Sequence, residues 1–254
     1  LEQAYEAAVA KGDIVLLGDE VDEAFVDSQL PESLAFNNDG TFNKDQIKLD
    51  NVVFYISPLH GMGKKPIEKL LRKRGVQPSQ IVWAQDNPDP KFTSVEGGKP
   101  NPELPTARKF LRQQAYEDAL DRWNEQGKIL VLIWVDPDVD RPAVEISPSD
   151  SLTPGKPRPI ESANDFVSFN GNLQLALLAD YQVTQLQTIE KEDDKRGSVT
   201  MNIHAENNSS LRLSLLLSRN MRKLFSASTV VSGFLMKSIY RSAGIPVYET
   251  LTGF

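Results

Sequence analysis

The chain has 254 residues, a net charge of −7 at neutral pH and a pI near 5.0, which argues against general binding to nucleic acid or to a membrane surface. Cysteine is absent, so disulfides and thiol catalysis are excluded and a cytoplasmic location is favoured. No apolar run approaches the roughly 20 residues of a membrane span, and the first residues lack the form of a signal peptide.

The first half of the chain predicts helices and strands in alternation. An amphipathic helix is expected over residues 1–10 and a short helix over 20–29, followed by a polar connector over 36–50. Strands are then predicted at 52–56, 81–84 and 131–135, with helices at 66–74 and 105–126 between them. This order is typical of an α/β layered domain.

A glycine-rich turn follows the first of these strands. Pro58, Gly61 and Gly63 permit a tight strand-to-helix turn. Such a turn at the start of a helix can bind phosphate, but we interpret this one as structural. His60 has no titratable neighbour in the sequence, so we interpret it as a hydrogen-bonded structural histidine.

The most informative stretch is ILVLIWVDPDVDR, residues 129–141. Its apolar part predicts a strand that is buried on both faces, and the C-terminal end of such a strand is where α/β sheets place ligands. Asp136, Asp138 and Asp140 follow directly in one short loop. Oxygen-only ligands select a hard divalent cation such as Mg²⁺. Arg141 adds a planar donor fork that suits phosphate.

Two other interpretations of this loop stay open on the spacing alone. An acidic cluster with proline is often a solvated turn. An apolar strand followed by D-x-D-x-[TV] is the pattern of phosphatases that use the first aspartate, here Asp136, as nucleophile. Position 140 carries Asp where that pattern requires Thr or Val, so the match is imperfect.

The C-terminal part predicts a linker and a second unit. Residues 147–159 are dense in proline and serine and are interpreted as the linker. A strand is predicted at 228–232, a helix at 235–242 and a strand at 247–250. The charged run at 190–196, which includes Asp193 and Asp194, is interpreted as a solvated surface rather than a metal pair.

Five segments in order resemble the phosphohexomutases, the phosphoglucomutase and phosphomannomutase family. DPDVDR resembles the D-P-D-A-D-R magnesium loop of that family, and YISPLHGMG, at residues 55–63, resembles its Y-T-P-L-H-G-x-G turn. DPKFTSVEGGKPNPE resembles the loop that ends in P-N-P-E, NGNLQLALLADY resembles a third-domain helix, and PVYETLTGF resembles E-T-L-T-G-F-K-W. The resemblance implies two consecutive α/β layered domains of phosphohexomutase type with mixed sheets flanked by helices. Residues 1–148 would form the second-domain-like unit, and residues 160–254 an incomplete third-domain-like unit.

The resemblance also implies an intramolecular phosphotransferase that acts on sugar phosphates in carbohydrate metabolism. It assigns Asp136, Asp138 and Asp140 to Mg²⁺, Arg141 to catalysis, and Thr252 and Gly253 to the sugar phosphate. The family's phosphoserine loop, T-A-S-H-N-P, does not occur in this sequence, so we expect the chain alone to be inactive. The sugar phosphate is not specified, because the family's sugar-reading loop is also missing. A haloacid-dehalogenase-like phosphatase that uses Asp136 and a noncatalytic interaction module stay open as alternatives.

Overall fold

The structure is a computed structural model that describes residues 2–29, 49–150, 156–196, 225–229 and 232–251. Most of the predicted connector at 36–50 lies outside these residues, as do Thr252 and Gly253. Within the described residues, no helix is both long and apolar enough to cross a bilayer.

A mixed five-stranded sheet forms the centre of the fold, in the order β2-β1-β3-β4-β5. Strands β2, β1 and β3 are parallel, while β4 runs antiparallel to both β3 and β5. The strand bounds are β1 Val52–Ser57, β2 Ile81–Trp83, β3 Ile129–Val135, β4 Pro142–Ile146 and β5 Val167–Phe169.

Helices lie before, between and after these strands. The helices up to the end of β3 are α1 Glu2–Lys11, α2 Asp19–Gln29, α3 Lys64–Lys73, α4 Pro105–Asp118 and α5 Asn124–Gln126. Short 3-10 turns occupy Pro78–Gln80 and Glu96–Gly98. The predicted mixed sheet flanked by helices is therefore confirmed.

The alternation of side chains along β1 and β3 explains the layers. Val53 and Tyr55 of β1, with Leu130, Leu132 and Trp134 of β3, pack on the side that α4 covers. The intervening residues of both strands pack on the opposite side, where α3 supplies Ile67 and Leu71. Because successive residues of a strand point to opposite faces, a continuous apolar run is required when both faces are covered. The prediction of a strand covered on both faces is confirmed, with one face buried and the other partly buried.

The predicted helix at 105–126 is interrupted. Residues Ala119–Trp123 form a π turn between α4 and α5. This wider turn places Trp123 so that its Nε1 donates to the Tyr55 hydroxyl at 2.7 Å, while that hydroxyl donates to Asp118 at 2.6 Å. These hydrogen bonds among Trp123, Tyr55 and Asp118 accompany the change from α to π helix. The periodicity of apolar residues in the sequence does not indicate them.

The C-terminal part contains a two-stranded parallel sheet with two helices. Its elements are α6 Gly171–Arg196, β6 Ser226–Thr229, α7 Phe234–Ser242 and β7 Val247–Thr250. Helix α6 is longer than predicted because residues 182–196 contain neither Gly nor Pro to end it. Strand β5 was not predicted; unlike β2, which is a run of three apolar residues, it has a serine at its centre. It joins the first sheet although it lies beyond residue 160, and the division into units at 148 and 160 stays a prediction.

Candidate metal-binding site

The acidic loop, residues 136–141, joins β3 to the antiparallel β4. The ends of the two strands pair as Val135 with Pro142. Inside the loop, the N–H of Asp136 donates to the Arg141 carbonyl at 3.2 Å, and the N–H of Val139 donates to the Asp136 carbonyl at 3.0 Å. Val139 adopts a φ of 66°, an uncommon value for a β-branched residue. The loop therefore turns within six residues, and its three aspartates are brought together.

The structure places the carboxylates of Asp136, Asp138 and Asp140 in one cluster. One oxygen from each residue lies within 4.8 Å of the others. Asp136 is fully buried, whereas Asp138 and Asp140 are exposed. Three hard oxygen donors that converge at this spacing fit a divalent cation such as Mg²⁺. Their role as metal ligands stays a prediction.

Asp136 is the anchor of the cluster. Its Oδ1 accepts hydrogen bonds from the backbone N–H groups of Asp140 at 3.0 Å and Arg141 at 3.1 Å. Its Oδ2 accepts one from Arg141 Nε at 2.7 Å. Burial raises the pKa of Asp136, but the backbone of Arg141, the contact with Asp140 and the Arg141 guanidinium together bring the pKa below its ordinary value. Asp136 is therefore held as a carboxylate.

The pKa values of Asp140 and Arg141 are also shifted by the Asp136 carboxylate. Contact with the Asp136 carboxylate raises the pKa of Asp140, and partial desolvation and the charge of Asp138 act in the same direction. The pKa of Arg141 is raised by its hydrogen bond to Asp136. Arg141 Nε is also 3.4 Å from Asp140 Oδ1, and about half of the Arg141 side chain is exposed. The three close carboxylates thus favour a positive charge between them, which agrees with the divalent cation predicted from the sequence.

The turn after β1 packs against the acidic loop and is hydrogen-bonded to it. The N–H of Met62 donates to the Pro137 carbonyl at 3.2 Å. A Cβ on Gly61 would lie 2.2 Å from Pro137 Cα, so only glycine permits this approach. A Cβ on Gly63 would lie 3.1 Å from the side chains of Val135 and Val139. The glycines of the predicted turn therefore serve close packing against the acidic loop.

Both ring nitrogens of His60 are hydrogen-bonded, which is typical of a structural histidine. Its Nδ1 lies 2.8 Å from the Asn87 carbonyl, and its Nε2 lies 2.7 Å from Ser94 Oγ. Because a carbonyl only accepts, Nδ1 carries a proton. Gln85 Nε2 also donates to Ser94 Oγ at 2.8 Å, and buried Ser57 donates to Gln85 Oε1 at 2.8 Å. This network fastens the long loop after β2 to the turn after β1, and no pattern in the sequence indicated Gln85 or Ser94.

A second charged cluster, the Glu145 cluster, was also missed by sequence reasoning. Glu145 of β4 is fully buried, and it accepts hydrogen bonds from Arg108 Nη1 at 2.9 Å, Arg112 Nε at 2.9 Å and Ser168 Oγ at 2.6 Å. Arg108 and Arg112 are four residues apart on α4 and so share one face. Glu145 stands where the alternating pattern of β4 puts an inward-facing residue, and a charged residue at such a position was the available signal.

The fold and the loop define an α/β domain that presents a candidate divalent-cation site at the ends of its parallel strands. A family model described as phosphoglucomutase/phosphomannomutase, alpha/beta/alpha domain II, matches residues 32–147. This match covers just under half of the chain, and it shows that residues 32–147 are similar to domain II of the phosphohexomutases. The predicted resemblance is confirmed.

Individual relatives agree with the family match. Phosphoglucomutases of Staphylococcus aureus strains RF122 / ET3-1 and MRSA252 are 26% and 27% identical to this chain over 207 residues. The matched region covers 82% of this chain and 27% of each relative, so the chain spans about a quarter of the length of these curated relatives.

One solved structure is also similar. It is described as a putative phosphomannomutase from Thermus thermophilus, is 16% identical, and matches 92% of this chain and 36% of its own. The TM-score of this match is 0.42.

Proposed function

We propose that this chain is part of a phosphohexomutase, an intramolecular phosphotransferase that acts on sugar phosphates in carbohydrate metabolism, and that it supplies the metal-binding domain. The observation that carries the proposal is the convergence of three aspartate carboxylates within 4.8 Å in the segment that matches domain II of the family. The loop lies at the C-terminal ends of parallel strands, where ligands of α/β sheets are bound.

In this proposal Asp136, Asp138 and Asp140 hold Mg²⁺, and Arg141 holds phosphate. When bound, the ion offsets the negative charge of the phosphoryl group. Asp136 is fixed in place by two backbone N–H groups, so one ligand is oriented before any ion binds. Arg141 is half exposed and carries a planar fork of donors, which suits two oxygens of a phosphate.

The proposal extends to the end of the chain by resemblance. Thr252 and Gly253 follow β7 and are proposed to bind the sugar phosphate. The chain contains no T-A-S-H-N-P motif, so we propose that it has no mutase activity alone. Purified chain should not convert glucose 1-phosphate to glucose 6-phosphate with Mg²⁺ and a bisphosphate primer; turnover above background would refute this part.

Metal binding tests the central part of the proposal. We expect a titration with Mn²⁺, followed by water-proton relaxation, to show one weak site per chain. The site is weak because three carboxylates from one loop complete only half of the octahedral shell that such ions prefer. Asp138→Asn should weaken binding by about tenfold, whereas Asp121→Asn, which removes the same charge from an exposed position after α4, should not change it. Equal affinities for both variants would contradict the site.

The phosphatase alternative predicts a different use of Asp136. The phosphatase pattern requires Thr or Val at position 140, where this chain has Asp140. The carboxylate of Asp140 joins those of Asp136 and Asp138 in one cluster, which favours a cation ligand over a nucleophile. Beryllium fluoride trapped on Asp136, or a phosphoaspartate there, would support the phosphatase instead. A chain that binds neither Mn²⁺ nor beryllium fluoride would support a noncatalytic interaction module.

A further inference from the structure

Arg141 lies between two of the three carboxylates that are proposed to bind the cation. Its Nε donates to Asp136 Oδ2 at 2.7 Å and is 3.4 Å from Asp140 Oδ1. Asp136 Oδ1 is already used by two backbone N–H groups. Oδ2 is therefore the oxygen of Asp136 that a cation and the guanidinium would both contact.

The divalent cation and the Arg141 guanidinium would compete for Asp136 Oδ2. A divalent cation among the carboxylates would repel the guanidinium, and each would weaken the attraction of the other for Asp136 and Asp140. A phosphate that binds the guanidinium side-on, through Nε and one Nη, would take the Nε donor from Asp136. Cation binding and side-on phosphate binding therefore both require that the Arg141–Asp136 pair be loosened.

We propose that Arg141 is a displaceable competitor of the cation at the acidic loop. The cation loosens the guanidinium from Asp136 and makes it available to phosphate, and phosphate draws the guanidinium away and opens Asp136 to the cation. Cation and phosphate then bind with positive cooperativity, and the effect of each on the affinity of the other is equal. This inference rests on the proposed function, because it uses the same cation site, and it adds how that site is regulated.

The alternative is that Arg141 supports cation binding by orienting the Asp136 carboxylate. Groups that hydrogen-bond a ligating carboxylate usually orient it, and their removal lowers metal affinity by about 10- to 100-fold. Competition predicts the reverse sign. The affinity of an Arg141 variant for a cation therefore separates a competitor from a supporting partner.

The first measurement is Mn²⁺ affinity in Arg141→Gln and Arg141→Lys, by water-proton relaxation and without any activity assay. Gln retains a polar side chain without charge, so Arg141→Gln should bind Mn²⁺ about tenfold more tightly than the wild type. Lys retains the charge, so Arg141→Lys should bind within about twofold of the wild type. Weaker binding by Arg141→Gln, with its melting curve intact, would overturn the proposal.

The second measurement uses the unaltered chain and does not depend on any variant folding. Inorganic phosphate should raise the Mn²⁺ affinity of the wild type by several fold. Complexation of Mn²⁺ by free phosphate would act in the opposite direction, so a rise cannot come from the buffer. The rise should vanish in Arg141→Gln. A rise of the same size in that variant would show that phosphate acts through the metal and would overturn the role of Arg141.

The two proposals fail in different ways. Absence of Mn²⁺ binding in the wild type and in Arg141→Gln alike removes the cation site, and the proposed function and this inference fall together. Wild-type binding that depends on Asp138 but is unaffected or weakened by Arg141→Gln leaves the proposed function intact and overturns only the competition.

Discussion

The approach of Gly61 to Pro137 makes Gly61→Ala the most informative single change. A Cβ at position 61 would lie 2.2 Å from Pro137 Cα and 2.5 Å from the Pro137 carbonyl oxygen. Both are backbone atoms of the acidic loop, so no side-chain rotation relieves the clash. The loop would have to retreat by about 1 Å to reach ordinary contact distance.

The cost of that retreat has two parts. Overpacking of this kind costs about 1–3 kcal/mol. The hydrogen bond from the Met62 N–H to the Pro137 carbonyl, 3.2 Å long, would be strained or lost, which adds about 1 kcal/mol. We therefore expect Gly61→Ala to lower the free energy of unfolding by about 2–4 kcal/mol and to weaken Mn²⁺ binding, because Asp136, Asp138 and Asp140 lie in the displaced loop.

Urea unfolding followed by circular dichroism measures the first effect, and Mn²⁺ relaxation measures the second. Gly171→Ala is the matched control, because a Cβ there meets no atom within 4 Å and the residue opens helix α6. The control should change stability by less than about 0.5 kcal/mol. If Gly61→Ala were as stable as Gly171→Ala, the close packing of the β1 turn against the acidic loop would be refuted.

Three further changes test separate features. Glu145→Gln should cost about 3–5 kcal/mol in urea unfolding, because two arginines lose a buried charge partner, and a loss below about 1 kcal/mol would contradict the contacts of the Glu145 cluster. Asp138→Asn, measured in chelator at neutral pH, should leave the melting temperature unchanged or slightly higher, since one of three crowded carboxylates is neutralised; a clear decrease would mean that this loop is not the metal site. Hydrogen bonds from Thr93 and Lys91 lower the pKa of Asp89 to about 2, so its stabilisation is complete above its unfolded pKa of about 3.9 and is lost as pH falls toward 2. The difference in melting temperature between wild type and Asp89→Asn should therefore shrink from about pH 5 to about pH 2.5, and a constant difference would contradict the assignment.

The sequence alone determined the elements that carry strong local patterns. The continuous apolar run before Asp136 predicts a strand covered on both faces, because its short length, its β-branched residues and the flanking Gly127 and Pro137 favour a strand over a buried helix. The end of that run fixed the position of the acidic loop, since the ligand-binding edge of a parallel sheet is set by strand direction. Gly61 and Gly63 likewise predicted a tight turn, because a residue without a Cβ leaves the backbone freer to turn.

Tertiary structure alone decided which distant residues meet. The contact of Gly61 with Pro137, the His60–Ser94–Gln85 network and the burial of Glu145 beneath α4 join segments that are far apart in sequence. Periodicity reports only which face a residue occupies, not its partner across the sheet. The same limit applies to Arg141: the sequence indicated a phosphate ligand, but only the folded loop shows that its Nε is held by Asp136. Side-chain direction and register, which depend on the packing of the whole sheet, decide such pairings.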